Sequence, residues 1–487
     1  MNSTHHVQDV IVVGTGFAGL CMGIALKQMG TEQFLLLERA NEVGGTWRDN
    51  EYPGAACDVP SHLYSLSFFP KADWSRKYPT QPELYAYLKG IATEHQLYPH
   101  IRFNENLISA TYLEGQKLWQ VTTTQGKYLA RSLIMGTGGL AEPKLPEIPG
   151  VESFEGKTFH SARWDHSYDL AGKRVAVIGS GASAIQIVPE LVKQAGEVTV
   201  FQRTPNWIIP RLDRPYTRLE KALFKYVPGA RRLHRTRIYW GHEARVMGMV
   251  IHPALMQAFQ KIAEFHIKRQ VKDQALRQQV TPDYLIGCRR ILISNDWYPA
   301  LQANNCRLNT DGIRAITATG IVTAAGETVD VDAIVFATGF YATENPIAHC
   351  VTGPNNTLAE AWQDGEEAYL GTTIAGFPNL YMIIGPNTGL GHTSMIFMIE
   401  QQVKLIKKLL AHKAEHNAAT LAVKPSVQQA FNRKLQSRLQ RSVWATGCDS
   451  WYKHRNGKIT ALWPGFTFEF WWRTQQFNAQ DYELNSY

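Results

Sequence analysis

Several residue patterns are missing or scarce in this chain of 487 residues, and each absence excludes a class of protein. Its six cysteines, at positions 21, 57, 288, 306, 350 and 448, contain no Cys-x-x-Cys pair. That absence argues against a zinc ribbon and against a redox-active dithiol. A reduced, cytoplasmic protein therefore fits the cysteine pattern better than a disulfide scaffold does.

The sequence also has no run of five or six like charges, although its net charge is +8. A positive balance is typical of proteins that bind nucleic acid, an acidic membrane surface or an anionic cofactor, and the number alone does not distinguish them. Because the basic residues are interleaved with acids and aromatics, nucleic-acid binding is the weakest of the three.

Segments that would carry the chain into or through a membrane are missing too. The N-terminus lacks the basic start and apolar middle of a secretion signal. Residues 368–399 contain no Asp, Glu, Lys or Arg, which is long enough to raise the question of a membrane span. Glycines and prolines interrupt this stretch, so we expect buried strand and loop there and no integral membrane segment.

What the sequence does contain begins with a strand, a glycine turn and a helix in "DVIVVGTGFAGLCMGIAL". Gly14, Gly16 and Gly19 permit the tight turn, the approach of a pyrophosphate and close packing of the helix, whose N-terminus attracts anions. The next strand, "FLLLE", ends in Glu38, 24 residues after Gly14. A carboxylate there accepts both ribose hydroxyls and repels a 2′-phosphate, so this fold suits FAD or NAD.

The same pattern returns in "RVAVIGSGASAIQIV", with Gly179, Gly181 and an alanine in place of the third glycine. Its second strand, "EVTVFQRTP", places Arg203 24 residues after Gly179, so the offset is retained and the charge is reversed. A guanidinium grips a phosphate bidentately, and Thr204 adds a hydroxyl donor. The second fold is therefore predicted to prefer NADPH over NADH.

The segment after Glu38, "NEVGGTWRDNEYPGAACDVPSHLYSLSF", is typical of a loop that lies against a cofactor. Gly44 and Gly45 free the backbone, Trp47 offers a flat face, and Asp58 lies in an apolar loop bracketed by prolines. Taken alone, Asp58 fits a turn residue or a helix cap equally well.

Two later strands, in "LIMGTGGL" and "DAIVFATGF", both end in Thr-Gly, which favours a first domain that is discontinuous in sequence. A chain of this length is expected to hold two or three domains. We predict an FAD-binding domain (1–140 and 338–487), an NADP-binding domain (141–212 and 281–337) and a helical insertion (213–280). The insertion is rich in Arg, Lys, Tyr and Phe; contact with a membrane surface is one interpretation, and packing over a ligand cleft is the one we favour.

Between the two glycine turns lies "FEGKTFHSARWD", which matches FxGxxxHxxxW followed by Pro or Asp. With "GGTW", "YPGAACDVPSHLYS", "FQRTPNW", "GCRRILISNDWYPAL", "ATGF" and "GPNTGLGHTSM", it resembles the type I (class B flavoprotein) Baeyer-Villiger monooxygenases over nearly the whole chain. Two departures are "MGTGG" at the first domain crossing and Arg289, where relatives often have lysine. Either base can hold a 2′-phosphate.

The resemblance implies an α/β fold with two dinucleotide-binding (Rossmann-like) domains, for FAD and NADP, and a helical insertion. It implies an enzyme that uses NADPH and dioxygen to convert ketones to esters or lactones through a flavin peroxide anion. The expected partners are a small-molecule ketone and dioxygen, with no nucleic acid. The expected assembly is a monomer or weak homo-oligomer in the cytoplasm.

The resemblance also implies roles for individual residues. Arg290 is the expected catalytic arginine, which holds negative charge on oxygen, and Asp58 is the carboxylate that positions it. His160 and Trp164 are expected to couple the two domains without touching substrate. The further cofactor-binding residues implied are Gly45, Thr46, Trp47, Asp58, Tyr64, Ser183, Arg289 and Trp451.

Two alternative functions remain open at this level. The same cofactor can oxygenate sulfur or nitrogen, although Trp164 stands where monooxygenases of that kind carry Tyr or Phe, which favours ketone oxidation. A flavoprotein reductase that passes electrons from NADPH to a disulfide or quinone is the other. The absence of Cys-x-x-Cys argues against the disulfide branch of that alternative.

Overall fold

The computed structural model describes residues 6–486, and residues 1–5 and 487 lie outside that range. The start of the N-terminal segment, on which the expected lack of a secretion signal depends, is among the residues outside it. The strands are β1 (Val7–Val13), β2 (Phe34–Leu37), β3 (Ile101–Arg102), β4 (Leu107–Leu113), β5 (Leu118–Thr123), β6 (Lys127–Met135), β7 (Lys157–His160), β8 (Arg174–Ile178), β9 (Glu197–Phe201), β10 (Ile208–Ile209), β11 (Leu292–Ile293), β12 (Cys306–Asn309), β13 (Ile313–Ile316), β14 (Gly320–Thr323), β15 (Thr328–Asp330), β16 (Ala333–Phe336), β17 (Val351–Thr352), β18 (Leu380–Met382), β19 (Thr420–Val423) and β20 (Tyr482–Asn485).

The α-helices are α1 (Phe17–Gln28), α2 (Thr46–Asp49), α3 (Gln81–Glu94), α4 (Ala184–Leu191), α5 (Arg218–Tyr226), α6 (Ala230–Glu243), α7 (Leu255–Gln270), α8 (Gln274–Val280), α9 (Trp297–Leu301), α10 (Leu358–Ala361), α11 (Met395–Glu415), α12 (Pro425–Leu439) and α13 (Thr467–Gln475). A π-helix covers Met247–Ile251. Short 3₁₀ helices occur at Tyr98–His100, Val151–Ser153, Ser161–Arg163, Pro346–Cys350, Val443–Ala445 and Ala479–Asp481.

The larger sheet holds the first glycine turn. Its strand order is β17-β4-β5-β6-β1-β2-β3, and β18 also pairs with β6. The central strand β1 pairs in parallel with both β2 and β6. Its residues Val10–Val13 are buried. Val10 and Val12 belong to one apolar cluster, and Ile11 and Val13 belong to another on the opposite face of the strand. This sheet takes strands from both ends of the chain.

The second sheet has the order β12-β9-β8-β16-β7, and all its pairings are parallel. Strand β8 leads through the second glycine turn into α4, repeating the arrangement of β1 and α1. Strands β1 and β8 each pair in parallel with both neighbours and each lead through a glycine turn into a helix. The predicted α/β fold class with two dinucleotide-binding folds is therefore confirmed.

The segment 213–280 contains α5, α6, the π-helix, α7 and α8. Met249, Met256 and Ala263 from this segment share one apolar cluster with Val177 and Val200 of the second sheet. Among the described residues, no helix is long and apolar enough to cross a membrane. The uncharged stretch 368–399 instead forms β18, connecting loops and the start of α11.

One pair of cysteines departs from the expectation of a reduced chain. Cys288 and Cys448 form a disulfide across a sequence separation of 160 residues, and the other four cysteines are free. The bond joins the loop before Arg289 to the loop before Trp451. Spacing in the sequence gives no signal for such a bond, because only the packing of the second sheet against the C-terminal region brings the two loops together.

Candidate active site

The first glycine turn is fixed by backbone contacts that leave no room for a side chain. A Cβ on Gly14 would lie 2.7 Å from the carbonyl oxygen of Gly136, and one on Gly19 would lie 1.8 Å from that of Gly14. Gly14 also has a φ of 99°, a value that side chains disfavour. The N-terminus of α1 has no side-chain cap, so its amide groups are available to an anion. This cradle fits a dinucleotide pyrophosphate.

Glu38 follows β2 directly and lies in this cradle. Its carboxylate accepts hydrogen bonds from the backbone N–H of Thr15 (3.1 Å) and the hydroxyl of Thr15 (2.5 Å). Arg48 forms an ion pair with it at 2.9 Å, and both side chains are largely buried. The Glu38 carboxylate is therefore held in place beside the first glycine turn by Thr15 and Arg48.

The "GGTW" segment lies beside the same turn. A Cβ on Gly45 would be 3.0 Å from the Cα of Gly16, so the two loops touch through their glycines. Gly45 precedes the short helix α2, which carries Thr46 and Trp47. The indole N–H of Trp47 donates to the hydroxyl of Tyr64 at 3.2 Å, and the two rings pack edge to face. These aromatics form one wall next to the first fold.

The second glycine turn repeats the geometry of the first. A Cβ on Gly179 would lie 2.4 Å from the carbonyl oxygen of Ala337, as Gly14 lies against Gly136. A Cβ on Gly181 would have open space around it, and Ser183 precedes α4 without capping it. Backbone amides at this turn are therefore accessible to a second pyrophosphate.

Arg203 lies two residues beyond β9, is exposed, and has no ion pair within residues 6–486. The carbonyl of its neighbour Thr204 accepts from the hydroxyl of Ser180, which ties this strand end to the second glycine turn. Arg289 lies over the ring of Tyr284 at 5.1 Å, and the Tyr284 hydroxyl donates to the carbonyl of Pro205. The two bases thus belong to adjacent segments.

Arg290 and Asp58 form an ion pair between the two halves of the site. The Nε of Arg290 donates to Asp58 Oδ2 at 3.0 Å, and Nη2 donates to the same oxygen. Burial by itself would raise the pKa of Asp58, but the charge of Arg290 outweighs burial and holds this pKa below its ordinary value. Asp58 in turn raises the pKa of Arg290, so both groups are charged at neutral pH.

A cavity of about 250 Å³ lies against this pair. Asp58 and Arg290 line it together with apolar residues from the insertion, among them Met249, Met256 and Phe259. A mainly apolar cavity with a few polar groups, among them one ion pair, is the usual form of a site for a small, mostly apolar molecule.

Sequence reasoning missed four polar residues of this cavity: His242, Arg245, His392 and Thr393. Burial lowers the pKa of His242 to about 4, and its Nδ1 donates to the backbone carbonyl of His392 at 2.9 Å. The ring of His392 meets the buried carboxylate of Glu243 at 3.3 Å. Arg245 adds a second guanidinium, which has no ion-pair partner in the described part of the chain. The "GLGHTSM" motif contained the only sequence signal for any of them, namely for His392 and Thr393.

The structure does not bring Trp451 to this cavity. Its side chain is 45% exposed, and its ring packs on that of Tyr452, whose centroid is 4.3 Å away. Tyr452 is buried in the apolar cluster of the second sheet, and Cys448 anchors the same loop through the disulfide. Trp451 therefore lies at the surface, beside a tethered loop.

His160 connects the two segments in which the chain passes from one fold to the other. It ends β7, which pairs with β16 so that His160 lies opposite Phe336. Its Nε2 donates to the carbonyl of Gly339 at 3.0 Å, and its Nδ1 accepts from the N–H of Ala162. Burial lowers the pKa of His160 to about 4, so the ring is neutral at pH 7.

Trp164 lies a short turn beyond His160, and its ring packs edge to face on Phe159 at 4.8 Å. The neighbouring Arg163 approaches Asp49 of α2 at 3.9 Å. The linker between the folds thus contacts the second sheet on one side and the "GGTW" segment on the other, and neither His160 nor Trp164 lines the cavity.

Comparison with known proteins gives the same fold and close relatives. A model of the pyridine nucleotide-disulphide oxidoreductase family matches residues 11–220. A Baeyer-Villiger monooxygenase of Pseudomonas aeruginosa is 46% identical over 481 residues, which are 98% of this chain and 91% of the relative. A Baeyer-Villiger monooxygenase of Streptomyces coelicolor is 44% identical, over 99% of this chain and 93% of the relative.

Solved structures agree over the full length. Cyclohexanone monooxygenase from Rhodococcus sp. Phi1 bound to NADP+ has a TM-score of 0.90 at 29% identity, covering 99% of this chain and 100% of the other. OTEMO in complex with FAD and NADP has a TM-score of 0.87 at 25% identity, with the same coverage.

Two dinucleotide-binding folds in one chain, with an ion pair between Arg290 and Asp58 at the cavity, are the arrangement of a flavoprotein that takes electrons from a pyridine nucleotide. Because relatives at 46% and 44% identity extend along almost the whole chain, the chain belongs to the Baeyer-Villiger monooxygenase family. It is an FAD-containing, NADPH-dependent monooxygenase, and the predicted enzyme class and cofactors are confirmed.

Proposed function

We propose that the enzyme inserts oxygen beside the carbonyl of a small ketone to give an ester or lactone, and that Arg290 and Asp58 commit it to that reaction. When bound, FAD reduced by NADPH supplies the activated oxygen from dioxygen. The observation that carries the proposal is the Arg290 and Asp58 ion pair on the wall of the apolar cavity.

Arg290 supplies a fixed positive charge where negative charge collects on oxygen. Attack on a ketone needs an anionic oxygen nucleophile and places negative charge on the former carbonyl oxygen, and a preorganised cation stabilises both. Asp58 occupies Nε and Nη2, whereas Nη1 of Arg290 donates to no residue between 6 and 486. That N–H group is therefore free to meet an oxygen in the cavity.

Asp58 positions this guanidinium. Because two donors of Arg290 converge on one carboxylate oxygen, the plane of the guanidinium is held relative to the cavity. An arginine suits this role better than lysine, because a buried ammonium loses its proton more readily and cannot form the same fork.

The residues that would hold FAD come from the first fold. The amides and glycine contacts of the first turn would receive the pyrophosphate, and the Glu38 carboxylate would receive the ribose hydroxyls. The "GGTW" segment and Tyr64 would lie against the flavin ring. The proposed set is Gly14, Gly16, Gly19, Glu38, Gly45, Thr46, Trp47, Asp58 and Tyr64.

The second fold supplies the residues that would hold NADPH. Gly179, Gly181 and Ser183 would bind its pyrophosphate, and Arg203 with Thr204 would bind its 2′-phosphate. Arg203 is exposed and without an ion pair in the described chain, which supports a phosphate partner. Arg289, beside the same strand end, adds charge, and Trp451 would reach the nicotinamide side only by movement of its loop.

His160 and Trp164 would couple the two folds as conformational residues. The hydrogen bond from His160 to Gly339 joins the segment that leaves the first fold to the segment that returns to it. A rotation of one fold must therefore move both connecting segments together. Both residues lie off the cavity lining, which supports a role apart from chemistry.

We also propose the domain division 1–140 with 338–487, 141–212 with 281–337, and 213–280. The first sheet draws its strands from residues 7–135 and 351–382, and the second draws its strands from residues 157–201 and 306–336, which supports that division. We propose further that the enzyme works in the cytoplasm and that it is a monomer or weak homo-oligomer. Light scattering after size exclusion would test the oligomeric state.

Product analysis tests the proposed reaction. The purified enzyme with FAD, NADPH and air is expected to convert members of a ketone panel to esters or lactones, identified by mass spectrometry. NADPH consumption that yields only hydrogen peroxide across the panel would contradict the proposal. Oxygenation of sulfides or amines without any ester would favour sulfur or nitrogen chemistry instead.

A further inference from the structure

The insertion carries the whole net positive charge of the protein. Residues 213–280 contain 14 Lys and Arg against 5 Asp and Glu, a net charge of +9, whereas the full chain has +8. The other domains together are therefore almost neutral. A charge gathered on one segment defines a surface with a preferred partner of opposite sign.

The same segment exposes large apolar side chains in helical register. On α5, Leu219, Leu223 and Tyr226 recur at i, i+4 and i+7, and Leu219 is 80% exposed. On α6, Leu233 and Trp240 are separated by two turns, and they are 73% and 54% exposed. Side chains at these spacings share one face of a helix. Helix α5 thus presents an uncovered apolar stripe, and α6 presents Leu233 and Trp240 with the exposed Arg237 between them on the same face.

A third helix extends this surface. On α13, Phe468, Trp471 and Trp472 are exposed at i, i+3 and i+4. The ring of Phe468 lies 5.9 Å from that of Trp240, so the α13 stripe is continuous with the α6 stripe. We name the exposed faces of α5, α6 and α13 the amphipathic face.

The same helices α5 and α6 also carry exposed cations without ion-pair partners in the described chain. Arg218, Lys225, Arg232 and Arg237 are exposed, and none forms an ion pair within the described range of the chain. Between residues 218 and 240 the only acidic residue is Glu220, which already pairs with Arg214 and caps α5. The positive charge of the face is therefore uncompensated.

The amphipathic face belongs to a fixed element. Arg235 of α6 donates to the carbonyl oxygens of His62 (2.7 Å) and Ser65 (3.0 Å), which ties the helix to the loop that follows Asp58. The hydroxyl of Tyr239 bonds that of Thr467, which joins α6 to the start of α13. The apolar stripes stay outward because the opposite faces of the helices are anchored.

We propose that the amphipathic face docks the enzyme on an anionic lipid bilayer. Apolar and aromatic side chains that enter the interface, flanked by Lys and Arg that meet anionic headgroups, are the two attractions that hold a peripheral protein on such a surface. A second copy of this chain fits the face poorly, because a symmetric contact would set its cations against themselves. This docking is independent of the reaction proposed for the cavity.

Vesicle co-sedimentation of the FAD-loaded enzyme tests the proposal. We expect binding to vesicles that contain phosphatidylglycerol, much weaker binding to vesicles of phosphatidylcholine alone, and release at high salt. The double variant Arg232→Gln/Arg237→Gln should lower the partition coefficient by about 25-fold, since each cation contributes roughly fivefold. The variant Leu233→Ser/Trp240→Ser should lower it by at least about tenfold.

Two variants elsewhere provide matched controls. Arg314→Gln removes an exposed, unpaired cation from β13, and Ile108→Ser removes an exposed apolar side chain from β4. Both should bind vesicles as the parent enzyme does. Bound-flavin absorbance and the unfolding midpoint would show that every variant is folded.

Three outcomes would overturn the proposal. The parent enzyme could fail to bind phosphatidylglycerol vesicles at low salt. The control variants could lose as much binding as the variants of the face, which would make the attraction a property of the whole molecule. Sedimentation velocity could instead show a dimer without vesicle binding that Leu233→Ser converts to monomer, which would assign the face to a second copy.

Discussion

Arg290 and Asp58 lie 232 positions apart in the sequence, and the fold joins them in one ion pair in which Nε and Nη2 of the arginine both donate to Oδ2 of the aspartate. Asp58 comes from the loop beside the FAD-side sheet, and Arg290 precedes β11, which pairs with β10 next to the second sheet. The pair thus connects the two folds at the cavity. Replacing Asp58 tests whether the position of the Arg290 charge matters, and replacing Arg290 tests whether the charge itself is needed.

Asp58→Asn keeps the size of the side chain and removes its charge. We expect ester formation to fall on the order of 100-fold, because the guanidinium loses the contact that holds its plane and small displacements of a catalytic group are costly. Hydrogen peroxide from NADPH oxidation should rise in proportion. Rates of ester and peroxide formation measured together would check this, with the exposed Asp73→Asn as control; an unchanged ester yield would contradict it.

Arg203→Ala should raise the Michaelis constant for NADPH by roughly 10- to 100-fold, the cost of losing charged hydrogen bonds to a phosphate. The constant for NADH, which has no 2′-phosphate, should change little. Steady-state kinetics with both nucleotides would measure the difference, and Arg314→Ala supplies a distant exposed control. Equal effects on NADPH and NADH would mean that Arg203 does not bind the 2′-phosphate.

His160→Gln should alter the dependence of stability on pH. Burial lowers the pKa of His160 from 6.5 to about 4, so between these values the unfolded chain binds a proton that the folded chain does not. Its contribution to the free energy of unfolding is therefore complete above pH 6.5 and is lost as the pH falls towards 4. Urea unfolding should show a shallower acid decline for His160→Gln than for the parent. If the exposed control His252→Gln flattened the decline equally, the effect would not belong to His160.

Cys448→Ser removes the disulfide to Cys288 and should lower the free energy of unfolding by about 2–4 kcal/mol. The loop that carries Trp451 would also lose its tether to the loop before Arg289. Thiol titration of the denatured parent enzyme should find four thiols without reductant and six after reduction. Six thiols without reductant would show that the bond does not form in the protein.

The local parts of this site could be predicted from sequence, because they depend on short spacings. Gly14 and Gly179 each follow an apolar strand and precede a helix. In the structure Gly14 lies against the carbonyl of Gly136, and Gly179 lies against that of Ala337. Glu38 is predicted as the last residue of its strand, and Arg203 as a residue near the end of its strand; they lie one and two residues beyond β2 and β9. The difference is small because the residue after a parallel strand still faces the same edge of the sheet.

The parts that could not be predicted depend on long-range packing. The Cys288 and Cys448 bond and the presence of Arg245 in the cavity follow from how the insertion and the C-terminal region pack on the second sheet. No spacing in the sequence encodes those contacts. Trp451 shows the converse case: the family resemblance implied this residue, but the packing of its loop leaves it at the surface and outside the cavity lining.

The most direct test of the arginine's role is the product ratio of Arg290→Ala with a ketone and a sulfide offered in separate reactions under NADPH and air. Oxidation of a sulfide builds no negative charge that needs this guanidinium, whereas attack on a ketone does. We predict that ester formation falls by at least about 100-fold while sulfoxide formation stays within a few fold, and that Arg290→Lys recovers only part of the ester. Parallel loss of both products, or persistent ester formation in Arg290→Ala, would contradict the assignment.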